Sequence, residues 1–367
     1  MKTRHNPSTA LQRRIKRQYV LIAVTLLVLL LIHAAKQSPA WVEQYYSRLF
    51  YPAFSYLPKL LVGWVPFSVG DVFYFLLLLA LSLPIVNALV KLFKKQWLPA
   101  WFRFLQFVTV CLVSYAYFYV SWGLNYYRIP LQQQLQLQVD RIDQATYFDV
   151  LDRYIVKVNM LRNSLDTQAI DRAQVEQDIE ALMKRNEALL PMLSRTQVHA
   201  KRPISSTLVS YVGVTGYLNP FTQEVQVNAI APGTGYPFTV AHELAHQMGI
   251  GFEDECNFTA FLVLHDHPNK RYQYAAYYET VDYLLQSLYM QDEQRFRHYV
   301  EKLSPAVKSD YAADRLFWQR YRGPVDRLMG MFYGNYLKHN NQPEGVARYS
   351  LMARLVVAWD KKNSEQQ

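Results

Sequence analysis

The sequence predicts a mainly α-helical fold: N-terminal transmembrane helices, then a helical α+β domain with a small β-hairpin or sheet ahead of one short helix. Three observations carry this prediction. Apolar residues make up 51% of the 367 and crowd into the first third of the chain. Most of the remainder has apolar residues at helical spacing, with polar residues between them. Strand-like alternation is confined to residues 203–232, just before the short helix that carries His-Glu-Leu-Ala-His at 242–246.

Residues 1–18 form a basic tail. Tyr19–Ala35, Val72–Val90 and Phe104–Leu124 follow as three runs of a length that can cross a bilayer as helices. Pro84 and Asn87 in the second run are tolerable in a transmembrane helix. Trp41, Trp64, Trp97, Trp101 and Trp122, five of the seven tryptophans, lie near the ends of these runs, as interfacial anchors do. Trp41–Pro66 is aromatic and broken by Pro52, Pro58 and Pro66, and reads as an interfacial or re-entrant element. Ala34 and Ala35 also allow the first run to be a cleaved signal peptide. The reading taken is a retained anchor, and cleavage would leave the later runs oriented as before.

The net charge of +10 would suit a nucleic-acid binder, but its placement excludes that class. Lys2, Arg4, Arg13, Arg14, Lys16 and Arg17 stand within residues 1–20 without an acid. Lys91, Lys94, Lys95 and Arg103 do the same within 91–103. These ten cations equal the whole net charge, so the rest of the chain is near neutral. Both stretches are expected in the cytoplasm by the positive-inside rule. The protein is then a multi-pass cell-membrane protein with the lipid bilayer as a partner, and residues 125–367 form an extracytoplasmic domain. The oligomeric state is left open. Cys111 falls in the third run and Cys256 in the later domain, so a disulfide is not expected.

Asp143–Leu165 and Asp171–Leu190 read as amphipathic helices, each opened by an N-capping Asp, the second stopped before Pro191. Thr207–Val212 and Glu224–Ile230 read as the two strands of a hairpin. Val225, Val227 and Ala229 alternate with Glu224, Gln226 and Asn228, the period of a half-buried strand. From Leu264 to Trp359 the chain is mostly helical, broken near Pro268, Pro305, Gly323-Pro324 and 341–345.

Between Pro237, suited to a first turn, and Gly249, suited to a position past a helix end, lies HELAH. Residues four apart share a helix face, so His242 and His246 can hold one ion together. This is the H-E-x-x-H pattern, in which two imidazoles bind Zn2+ and the glutamate, here Glu243, acts as general base. Gly249 and Gly251 let the chain turn into a second helix from about Phe252 to His265. Glu253 and Glu255 point about 200° apart around it, so only one easily faces the metal. Glu253 is the chosen third ligand, because Asn257 one turn on can orient a ligand from behind; Glu255 is the fallback. Cys256 is read as a small buried residue pointing away from the metal. His265 and His267, two apart, do not converge on one ion. His339 and the Tyr-rich helix 272–289 are candidates for a donor to the transition state.

A glutamate followed four residues later by Asp or Asn, after HExxH, resembles the gluzincin metallopeptidases. There the first Glu of such a segment is the third zinc ligand. More closely, His242–Leu262 (HELAHQMGIGFEDECNFTAFL) is similar to an uncharacterised family of bacterial membrane proteins, a domain of unknown function with an HExxH motif. Gly216–Thr222 and the stretch from Tyr336 through Val346 share in this resemblance, which extends from Tyr46 to Trp359. It implies a zincin-like domain and a zinc metallopeptidase acting on a peptide or protein substrate, with His242, His246 and Glu253 as ligands. Cys256 stands where Ala is expected. The alternative reading is a membrane sensor whose zinc domain binds or signals without turnover. An intramembrane protease fits poorly, since residues 230–257 hold Glu243, Glu253, Asp254 and Glu255 and no long apolar run.

Overall fold

The structure is a computed structural model, and it describes residues 7–166, 169–185, 198–342 and 349–365. It is mainly helical, with one small sheet. The chain divides into two units. The first takes in the described residues up to Phe54, Val69–Arg128 and Pro220–Thr222; the second takes in Ser55–Ser68, Ile129–Asn219 and the described residues from Gln223 onward.

In the first unit, α1 (Pro7–Lys36) is longer than the expected span, because nothing between Pro7 and Tyr19 breaks a helix and the basic stretch simply continues it. A π-helical segment, Val42–Phe50, leads into α2 (Tyr51–Val62), whose residues from Ser55 onward belong to the second unit; together they make helical most of the stretch expected to be interfacial or re-entrant. Helices α3 (Val69–Phe93) and α4 (Trp97–Ser121) are the second and third apolar runs, with α4 starting earlier than expected. Helix α4 packs against both α1 and α3. Ile15, Phe102 and Leu105 form the α1–α4 contact, reinforced by Thr109 Oγ1 donating to Gln18 at 2.7 Å. Elsewhere α1 leaves Val20, Leu27, Leu30 and Leu31 exposed. α1, α3 and α4 are long and apolar enough to cross a membrane, and this fits a membrane-associated chain. Beside them, Glu43 and Arg128, both buried, form a two-point ion pair at 2.7 and 2.8 Å. Neither charge is left uncompensated.

The second unit holds one large core. Helices α5 (Gln144–Asn163) and α6 (Arg172–Arg185) start as expected. The Asp143 carboxylate accepts from the Thr146 amide, and that of Asp171 from the amides of Ala173 and Gln174. The expected end of α6 at Leu190-Pro191 lies outside the described residues, as do Lys2, Arg4 and residues 343–346.

The sheet contains the expected hairpin but corrects its first strand. Its order is β1-β3-β2, with β1 (Ala200–Lys201) parallel to β3 (Glu224–Val227) and β2 (Gly216–Asn219) antiparallel to it. Thr207–Val212 is not a strand. Ser206–Ser210 forms the short helix α7, held by Ser206 Oγ on Pro203 O and by Asn228 Nδ2 on Ser210 Oγ. Strand propensity yields there to these side-chain bonds. Nor is β3 half-buried: Glu224 and Gln226 are as hidden as Val225 and Val227. A central strand is covered from both sides, and the Glu224 charge is met by Lys201 at 2.8 Å.

Beyond the sheet come α8 (Tyr236–Gln247), α9 (Glu253–Leu264), α10 (Lys270–Tyr289), α11 (Glu293–Glu301), α12 (Pro305–Gln319), α13 (Pro324–His339) and α14 (Tyr349–Ser364). Helix α8 packs on β3, α6, α9 and α10, so the HELAH segment runs through the middle of the core.

Candidate metal centre

Pro237 occupies the first turn of α8, and the helix stops where Gly249 takes φ 88°. That left-handed residue suits glycine and reverses the chain within a few residues, so α9 starts already at Glu253. The turn also acts on the site, because Ile250 O lies 2.9 Å from His246 Nδ1. A carbonyl only accepts, so Nδ1 carries the proton and Nε2 presents its lone pair. His242 Nδ1 is 2.7 Å from Asn257 Oδ1, one turn behind Glu253, which sets the same tautomer.

The two Nε2 atoms meet the Glu253 carboxylate. His242 Nε2 lies 3.2 Å from Oε2 and His246 Nε2 lies 3.5 Å from Oε1. Among the described residues, His242, His246 and Glu253 form a group that could hold a metal ion, their ligand atoms all within 4.8 Å of one another. Burial works to raise the Glu253 carboxyl, but His246 and His242 outweigh it and hold it well below the usual carboxylate range. Burial also disfavours a charged His246, yet Cys256 and Glu253 lift it well above its ordinary value. A buried carboxylate between two imidazoles demands a positive charge, supplied by a proton or by a metal ion. The donor set fits zinc: two imidazole nitrogens and one carboxylate, each imidazole backed by an acceptor.

Glu243 lies beside this group. It is buried, its Oε2 has no hydrogen-bond partner, and burial pushes its carboxyl up. Its chain packs on the start of β2, where a Cβ on Gly216 would stand 2.6 Å from Glu243 Cγ and 2.7 Å from Oε1. Only glycine fits that approach.

Glu255 is not brought to the group. Its Oε1 accepts from the Leu131 amide at 2.7 Å, on the far side of α9. Cys256 is buried and stays out of the ligand group: its Sγ is 3.2 Å from His246 Nδ1, on the ring edge opposite the cluster. His265 Nδ1 donates to Leu262 O and His267 Nδ1 accepts from the Asn269 amide, so these two do not converge. The phenols of Tyr272, Tyr274 and Tyr278 are held by Asp178, Asp310 and Asp314. Tyr333 of α13 does reach the group: its hydroxyl donates to Glu253 Oε1 at 2.7 Å. No local pattern marks it among 28 tyrosines.

The model of a family described as "Protein of unknown function (DUF3810)" matches residues 46–357, and the chain belongs to that family. The resemblance from Tyr46 to Trp359 is met over nearly its whole length. No curated protein and no solved structure matches the chain.

Proposed function

We propose that this member of the DUF3810 family is a membrane-anchored, zinc-dependent metallopeptidase. The observation that carries the reading is the convergence of His242 Nε2, His246 Nε2 and the Glu253 carboxylate beside a buried glutamate with an unpartnered oxygen. Zinc bound by these three side chains would supply Lewis acidity, polarising a carbonyl and acidifying water. Glu243 does the proton work. Its carboxylate takes a proton from the attacking water and passes it to the amine as the carbon–nitrogen bond breaks. Its burial raises the carboxyl, which makes Glu243 a stronger acceptor for the proton of the attacking water. Tyr333 and Asn257 orient Glu253 and His242.

A peptide substrate is supported by the sheet. Strand β2 is an outer strand and begins at Gly216, against Glu243. An extended peptide adding to that edge would carry its backbone past the general base. The basic stretches 1–20 and 91–103 support a cytoplasmic N-terminus with the second unit on the extracytoplasmic side.

The test is metal analysis of the purified full chain, joined to peptide-library cleavage by wild type and Glu243→Gln. About one zinc per chain with cleavage lost in Glu243→Gln is expected. Zinc without cleavage by wild type would favour the sensor reading, and no zinc would overturn both.

A further inference from the structure

The second unit exposes two apolar ridges that its core does not use. Ile204 and Leu208, before and on α7, are 85% and 70% exposed. On α13, Val325, Leu328 and Phe332 are 56%, 49% and 59% exposed. The ridges are neighbours. Tyr211, just past Leu208, meets the Tyr321 ring edge-on at 5.1 Å, shortly before α13 begins. The Asp326 carboxylate abuts Gly213, where a Cβ would stand 3.2 Å from it.

Helix α13 is divided into arcs at about 100° per residue. Asp326, Tyr333 and Leu337 share the arc that faces the unit: Leu337 is fully buried and Tyr333 holds Glu253. Val325, Leu328 and Phe332 share a second, outward arc. Arg327 and Lys338 lie on a third. From Arg320 to Lys338 the chain carries Arg320, Arg322, Arg327 and Lys338 against the single acid Asp326.

We infer that this two-ridge patch rests on an anionic lipid surface. An apolar arc flanked by cations is how a helix lies in the headgroup boundary, apolar side chains in the acyl region and cations at the phosphates. Side chains exposed by 70–85% stand proud of their surroundings, whereas residues lining a peptide groove are screened by its walls. A second copy seated on the patch would set Arg320, Arg322, Arg327 and Lys338 against their own counterparts. The chain also carries three helices long and apolar enough to cross a membrane, so a lipid surface is a partner consistent with the rest of the sequence. Docking would steady α13, and with it the Tyr333 hydroxyl on Glu253. The inference stands whether or not the centre hydrolyses peptides.

The experiment uses the full chain with Cys111→Ser, reconstituted in nanodiscs of phosphatidylethanolamine and phosphatidylglycerol. A nitroxide is placed on Phe332→Cys, on Leu208→Cys, or on Met290→Cys as control, Met290 being 81% exposed beyond α10. The Phe332 and Leu208 labels should be several-fold more accessible to oxygen than to a nickel chelate, and the Met290 label the reverse. Replacing phosphatidylglycerol with phosphatidylcholine should reduce the difference. Equal chelate access at all three positions would overturn the inference. Spin–spin broadening at Phe332 with no effect of lipid charge would also overturn it, in favour of a second copy. The Leu208 label, on a separate element, decides the matter if Phe332→Cys does not fold.

Discussion

The Tyr333 hydroxyl donates to Glu253 Oε1 across 2.7 Å, although the two residues are 80 positions apart in the chain. The bond leaves Glu253 with both oxygens engaged, one toward each imidazole and one of them also toward the phenol. A ligand oriented from behind binds its metal more tightly, and loss of such a partner costs about 10–100-fold in affinity. Tyr333→Phe should therefore weaken zinc binding by about that factor in a chelator competition, while Glu253→Ala should abolish stoichiometric zinc. Wild-type affinity in Tyr333→Phe would show that the bond does not position the ligand.

Glu243→Gln separates binding from chemistry. The amide has the same shape and leaves His242, His246 and Glu253 in place, so zinc content should match wild type. Proton transfer is lost, and the rate of peptide hydrolysis should fall by about 10²–10⁴-fold. The buried carboxyl is held toward its neutral form, so thermal stability should be unchanged or slightly higher in the variant. A fully active Glu243→Gln enzyme would remove Glu243 from the mechanism.

Gly216→Ala tests the contact between strand and base. Its methyl would fall 2.6–2.8 Å from Glu243 Cγ, Oε1 and Cδ, and α8 is too deeply packed to retreat. Glu243 must turn aside. Hydrolysis should drop sharply with zinc retained, and stability should fall by about 1–3 kcal/mol from overpacking. Unchanged kcat in Gly216→Ala would mean that the glutamate works from another rotamer.

The two acidic candidates on α9 should divide into different phenotypes. Glu255→Ala leaves the buried Leu131 amide without its acceptor, which costs about 1–3 kcal/mol. It should lower the unfolding temperature and leave zinc stoichiometry intact, the opposite of Glu253→Ala. Zinc loss in Glu255→Ala alone would reassign the third ligand.

These residues also show what a single sequence can disclose. Apolar runs long enough, or nearly so, to cross a bilayer announce α1, α3 and α4, and the four-residue spacing of His242 and His246 announces their shared face. The roughly 200° between Glu253 and Glu255 anticipates their separation, though only the fold reveals that Leu131 takes the second. Local propensity misleads where tertiary bonds decide. Thr207-Leu208-Val209 reads as strand and is helical, whereas Gly216–Asn219, with weak strand formers at both ends, pairs with β3. Tyr333 and Leu131 meet α9 only through long-range folding, and no spacing rule reaches that far.

Glu279 of α10 abuts Gly235, at the start of α8. Burial, with Asp282 and Asp314 nearby, pushes its carboxyl up to about 8. Asp282 is raised to about 6 and Asp314 is raised as well, so the neighbours act in the same direction. A carboxyl raised on folding binds its proton more tightly in the folded state than in the unfolded chain, where the value is about 4.3. The folded state therefore gains stability that is fully present below about pH 4 and is lost progressively as pH rises toward 8. Glu279→Gln keeps the neutral form at every pH. Its unfolding temperature relative to wild type should rise between pH 5 and pH 9, measured on the detergent-solubilised full chain by scanning fluorimetry. A difference independent of pH would show that Glu279 is ionised in the folded protein throughout this range.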